Sequence, residues 1–243
     1  MRKNQENNLL SIGHGNAKLA PDILTFSLPS GWTCPGARDC LSKVVNGKIQ
    51  DGKHTKFRCF SASQEAVFPG AFEARQKNLN LIKKAIGLQA KIELINASIL
   101  HNKRANTRKV RIHVAGDFFS QEYFDAWVAV ACLNKDLIFY AYTKSIPFYL
   151  ARLDELPNNF RITISQGGRF DGMIKEGTKR AIVVYSEKEA KEKGLRLDHN
   201  DSKAYGKSKK DFALLIHGTQ PAKTEAARAV QSLKRAGKMG YSR

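Results

Sequence analysis

The sequence predicts an α/β protein built on a mostly parallel sheet. Six short apolar runs of strand length recur from Ile23 onward, and most are followed by a stretch of helical period. No long linker, repeat or low-complexity block interrupts them, so the 243 residues are expected to form one α/β domain with a sizeable core.

The elements follow in order. ILTFSL (23–28) is the first strand, closed by Pro29-Ser30-Gly31. A polar loop from Trp32 to Phe68 carries three of the four cysteines. Two helices are expected next, with Phe72, Leu79, Ile82 and Ile86 on one face, then Leu88, Ile92, Ile95 and Ile99 on another, and Gly87 as the break. RKVRIHVAGDFF reads as a strand ending in the turn Gly116-Asp117, and Ser120 caps a helix whose Phe124, Trp127, Val128 and Ala131 form one stripe. LIFYAYTKS, FRITISQGG, AIVVYSE and FALLIHG are further strands, while IPFYLARLDEL, KEAKEKG and TQPAKTEAARAVQSLKRAG read as helices. Ala226, Ala227, Val230 and Leu233 share the face of the last. Strands alternating with helices call for right-handed crossovers, and such sheets carry their chemistry outside the carboxyl ends of the strands.

The apolar and charged fractions, 42% and 26%, are those of an ordinary globular protein. The balance of sign is not: Lys plus Arg is 41 against 22 Asp plus Glu, a net charge of +19. Such a field attracts phosphate-bearing partners, so nucleic acid or another polyanion is an expected partner. MRKNQENNLL leads into no apolar signal core, and no window reaches the ~18 apolar residues of a membrane span. A cytoplasmic, reducing setting without membrane attachment is therefore expected, in which cysteines serve as thiols rather than disulfides.

Cys34, Cys40 and Cys59 gather in the loop after the first strand, together with His54. Two metal readings arise. The four side chains suit a tetrahedral zinc ion, although the first pair, C-x5-C, is wider than the usual zinc knuckle. Alternatively, the three thiolates hold an iron–sulfur cluster and leave one iron open. The plain alternative is three free thiols. Cys132, within the helix after Ser120, reads as inert packing.

Other residues carry paired readings. Asp117 is a carboxylate at the sheet's carboxyl edge or a turn residue, and His113 is a hydrogen-bonded core histidine. His217, at a strand end before a glycine, is placed to line the site; Lys144 meets an anion or is a solvated strand-end lysine. Gly167-Gly168 permits close approach to a ligand or makes a turn. The segment DHNDSKAYGKSKK (198–210) is a lid bearing His199 and Asp201 or a surface loop. The basic tail KRAGKMGYSR (234–243) tracks a nucleic-acid backbone or is merely solvated.

The phrases LPSGWTCPGARDC, RCFSA, HVAGDFFSQEYFDAW, YAYTKS and LLIHGTQPAKTEAA together resemble the bacteriophage gene product 88 family, from about Ile23 to Leu233. The layout is in turn similar to the radical S-adenosylmethionine (SAM) enzymes, which implies a six-fold βα partial barrel. That resemblance implies a four-iron four-sulfur cluster on Cys34, Cys40 and Cys59, with Phe60 as the aromatic beside it. It further implies that Gly116 and Asp117 contact the methionine amino group and that Ser165 reaches the ribose or carboxylate of SAM. The cysteines depart from the usual C-x3-C-x2-C: here they are C-x5-C-x18-C, with VVNGKIQDGKHTK as an inserted hairpin. The expectation is a radical-SAM-like iron–sulfur enzyme acting on an anionic substrate, nucleic acid or nucleotide among them, in the host cytoplasm if the chain is phage-encoded. The alternatives are a zinc-stabilised nucleic-acid-binding phage protein without catalysis, and a metal-dependent nuclease using Asp117 and His217.

Overall fold

The computed structural model describes residues 8–238. Residues 239–243, the outer half of the basic tail, lie outside the described residues. A two-residue strand, β1 (Gly13–His14), precedes β2 (Ile23–Thr25), and the cysteine loop then contains a hairpin, β3 (Ser42–Val45) and β4 (Lys48–Asp51). Three helices follow: α1 (Phe60–Val67), α2 (Pro69–Lys84) and α3 (Gly87–Asn102). Next come β5 (Lys109–Ile112), α4 (Gln121–Leu133), β6 (Ile138–Thr143), the short α5 (Ile146–Leu150) and β7 (Phe160–Ser165). β8 (Arg180–Val184), α6 (Glu187–Glu192), β9 (Arg196–Leu197), α7 (Ser202–Tyr205), β10 (Phe212–Leu215) and α8 (Glu225–Arg235) complete the order.

The main sheet runs β1-β2-β5-β6-β7-β8-β10-β9. All six expected strands form, and they stand side by side in chain order, every neighbouring pair parallel. Among these six the order never reverses; only the edge strand β9 is out of sequence, beyond β10. Two edge strands escaped the periodicity. β1 pairs antiparallel with β2, and β9 pairs parallel with β10. At two residues each they are too short to show an alternation of their own.

The alternation within each strand distributes the core. Leu24, Val110, Ile112, Phe139 and Ala141 pack on one face against Leu79, Ile82, Ile95, Ile99, Phe124 and Trp127 from the helices. Burying a ring such as that of Trp127 or Phe124 contributes about 2–3 kcal/mol. Ile23, Tyr140, Ala181 and Phe212 turn the other way and are covered by Leu19 and by Ala204 of α7. Val184, Ala213 and Leu215 hold the face of α8 through Ala226, Val230 and Leu233. The caps follow the sequence: the side chains of Ser120, Ser186 and Thr224 each accept from a backbone N–H three residues on.

Several expectations are corrected. Ile86 and Leu88 stand outside the helical faces assigned to them, at 88% and 41% exposure, because the chain turns at Ala85-Ile86 instead of continuing the helix. Cys132 is exposed near the end of α4, so it is not packing. The segment 198–210 is neither a lid nor a surface loop along its whole length. Asp198 and Asp201 are buried, and Asp201 is ion-paired with Arg111 and Lys18, while only His199 of the named pair is exposed.

Candidate metal centre

The cysteine loop is built onto the carboxyl ends of the strands from both sides. At its start, Glu65 of α1 is buried and accepts from the Ser30 backbone N–H (2.9 Å), the Ser30 hydroxyl (3.0 Å) and Arg75 (2.7 Å). Trp32 donates to the Val44 carbonyl at 3.0 Å, with the Lys43 ammonium over its ring, so the loop is tied to its own hairpin. Asn46 and Gly47 at the hairpin tip both have positive φ (50° and 72°), the two-residue turn that Asn-Gly adopts.

Gly36 then lies directly against the end of β6. A Cβ there would stand 2.1 Å from the Lys144 carbonyl oxygen, so no side chain fits. Beyond it, Ala37 bridges to Gly168, Asp39 N–H donates to the Gly167 carbonyl (3.0 Å), and Arg169 N–H donates to the Gly36 carbonyl (2.8 Å). The close approach at Gly167-Gly168 is made by the cysteine loop, not by a ligand. On the opposite side the loop after β10 closes in. Gln220 accepts from Arg58 N–H (2.7 Å) and donates to the Arg58 carbonyl (3.2 Å), and His217 lies against Phe60 with ring centroids 4.6 Å apart.

These contacts gather Cys34, Cys40 and Cys59 into one half-buried group. Burial pushes the Cys34 thiol well above its usual range, and Asp117, Cys59 and Cys40 push it further. Cys40 is raised to about 11 by burial, opposed by the Lys144 ammonium, with Cys59, Asp117 and Asp39 adding to the rise. Cys34 therefore feels both other thiols, and Cys40 feels Cys59. Thiolates are costly in such a place unless a cation lies among them.

The flanking groups are fully engaged. Asp117 is buried, and its carboxylate accepts from Thr143 Oγ1 (2.6 Å), Phe118 N–H (2.8 Å) and Lys144 N–H (2.8 Å); burial raises it to about 6 against those bonds. It ties the ends of β5 and β6 together. Lys144 is not a solvated lysine: it is buried, and Nζ donates to Ser165 O (2.7 Å), Ser165 Oγ (2.9 Å) and Gln166 O (2.7 Å). His217 bonds the Leu215 carbonyl through Nδ1 at 3.0 Å, and burial lowers its pKa. His113 is the expected core histidine, 2.9 Å from the Tyr123 hydroxyl.

The residues assigned to SAM fit it poorly. Gly116 is packed against Thr33 and Leu28, the Asp117 carboxylate is occupied by three donors, and the Ser165 hydroxyl is occupied by Lys144. The zinc set is not assembled either. His54 is exposed in the turn after β4, and among the described residues no three His, Cys, Asp or Glu side chains form a ligand set for one metal ion. Gly36 and Gln220 were missed as site builders, and Lys144 reads in the sequence only as meeting an anion or as solvated. Only the Pro35-Gly36 pair, directly after Cys34, carried a signal for one of them.

A singly wound α/β sheet with three thiols on its carboxyl rim defines the class of the molecule. The chain belongs to the Gene product 88 family, whose model matches residues 2–234. It is 28% identical to the Gene 88 protein of Mycobacterium phage L5 over 143 residues, 54% of each chain, and so spans about half the length of that relative. No solved structure matches. Among the described residues no helix is long and apolar enough to cross a membrane.

Proposed function

We propose that this chain is an iron–sulfur protein of radical-SAM-like layout that acts on an anionic substrate. The observation that carries the proposal is the placement of Cys34, Cys40 and Cys59, all half-buried, in one loop on the carboxyl rim, where Cys34 feels both other thiols. Bonds of about 2.3 Å hold thiolates roughly 3.8 Å apart around one tetrahedral zinc. A four-iron cluster is a larger body and spreads its thiolates further. Three half-buried thiols in one loop are the ligand number such a cluster takes when one iron stays open.

The partial barrel is supported by the chain-order sequence of six parallel strands and by Tyr142 and Phe212. Their rings lie 6.1 Å apart although β6 and β10 are separated by two strands, about 14 Å in a flat sheet. A cluster with three protein thiolates supplies one iron with an open position and a route for single electrons. The chain's own groups have separate tasks. Lys144, held by oxygens of Ser165 and Gln166, offsets thiolate charge at Cys40. Asp117 fixes the rim on which the loop rests, and Phe60 with His217 walls off the side toward β10. No step through SAM is derived, because the groups assigned to it are engaged elsewhere.

Anaerobic purification with iron, sulfide and zinc analysis tests the proposal. Brown protein with roughly four irons and four sulfides per chain is expected. Colourless protein with one zinc per chain would replace it by the zinc-stabilised reading.

A further inference from the structure

A second basic feature lies at the opposite edge of the sheet. A cavity of about 700 Å³ opens at the amino ends of β7 and β8, beside the segment that leads into β10. Five cations line it: Arg161, Lys175, Lys179, Lys207 and Lys209. Glu176 is the single carboxylate in the lining, and among the described residues none of the five cations is ion-paired with a carboxylate.

The cations form two tiers. Lys179 is buried, and its ammonium donates to the carbonyls of Lys203 (2.9 Å), Ala204 (2.7 Å) and Gly206 (3.1 Å). Arg161 is half-buried and donates to the Tyr205 carbonyl. Those hydrogen-bond partners are neutral, and the buried Asp198 carboxylate nearby offsets only part of the floor's positive charge. Burial and then repulsion from Arg161 lower Lys179 to about 8, with the Asp198 carboxylate pulling the other way. Lys175, Lys207 and Lys209 stand exposed at the mouth. Tyr149, Leu153 and Ile162 supply an apolar wall with one aromatic ring. Ordered cations on the floor, mobile cations at the mouth and a ring on the wall suit a ligand with both phosphates and a planar base.

We propose that this cavity binds a phosphorylated nucleoside, its phosphates on the lysine side and its base against Tyr149. The size is that of a nucleotide site. The ligand is either a free nucleotide or one unit of a nucleic-acid strand. The site stands on the cavity alone, and holds whether or not the thiols carry a cluster.

The test is a titration of the full chain with ATP, with a short single-stranded oligonucleotide and with inorganic phosphate. Three exposed mouth lysines are reversed together in the variant Lys175→Glu/Lys207→Glu/Lys209→Glu. Lys83→Glu/Lys84→Glu/Lys135→Glu makes the same charge change on exposed residues away from the cavity. The mouth variant should weaken binding by roughly tenfold or more, lower the salt slope on the oligonucleotide by about 2, and leave the metal content unchanged. The control should stay within roughly threefold of the parent. Tyr149→Ala should weaken nucleotide but not phosphate. Tight ATP binding identifies a free nucleotide, and oligonucleotide binding without ATP binding identifies a strand. Equal losses in the two triple variants, phosphate competing as well as nucleotide, or no binding of either ligand at low salt would overturn the proposal.

Discussion

Cys34, Cys40 and Cys59 share one half-buried group, whereas Cys132 is exposed on a helix away from them. Replacing any one of the three by Ala should remove most of the bound metal, while Cys132→Ala should keep the metal and change stability by less than about 0.5 kcal/mol. Full metal content in all three single variants would sink the cluster. His113 supplies a pH dependence of a different origin. Burial first, and Arg111 second, lower its pKa from 6.5 to about 3. A histidine depressed in the folded state binds its proton more readily unfolded, so stability rises with pH across that window and falls as pH drops from 6.5 toward 3. Between pH 7 and pH 4 this amounts to at most about 3 kcal/mol. Denaturant unfolding of His113→Gln should show a shallower loss over that range than the parent; parallel curves would remove His113 as the cause.

The cysteine loop is an element without a core of its own, so its shape depends on what grips it. Gln220 is the grip from the side of β10, through the reciprocal bonds to the backbone of Arg58, one residue before Cys59. Gln220→Ala leaves both backbone groups without that partner. It should cost roughly 1–3 kcal/mol, felt mainly as faster amide exchange at Arg58, with the strands unchanged. Uniform loss of protection through β5 and β6 would show instead that the grip supports the whole sheet. The hairpin within the loop has a local signal of its own, since its Asn46-Gly47 turn matches the strand twist.

At the scale of the whole molecule the dominant quantity is charge. With +19 at neutral pH, the protein should be retained on heparin at low salt, and its binding to DNA or RNA should weaken steeply as salt rises. Binding indifferent to salt would exclude a counterion-release mechanism. The two edges of the sheet divide the molecule's chemistry: the thiols sit at the carboxyl ends of the strands and the five-cation cavity at the amino ends. The net charge is therefore not one uniform coat, and removing the cavity's share should leave a weaker, sequence-blind remainder.

Much of this protein is local and was legible in the sequence. The six parallel strands, the cap at Ser120, the hairpin within the loop and the thiol loop after the first strand follow from period, turn chemistry and spacing. Those signals reside in neighbouring residues and survive without knowledge of the fold. The environment of each polar group does not. Lys144 reads as an ordinary strand-end lysine until β7 brings the Ser165 and Gln166 oxygens to its ammonium. Asp117 reads as a rim carboxylate or a turn residue until the end of β6 brings Thr143 and the Lys144 N–H across the sheet to join the Phe118 N–H of its own turn. Arg161 and Lys209 are 48 positions apart, and only the docking of α7 under the sheet makes them one cavity. Pairing of distant strands is decided by burial and hydrogen bonding across the whole chain, so the functional surroundings of these groups belong to the tertiary structure.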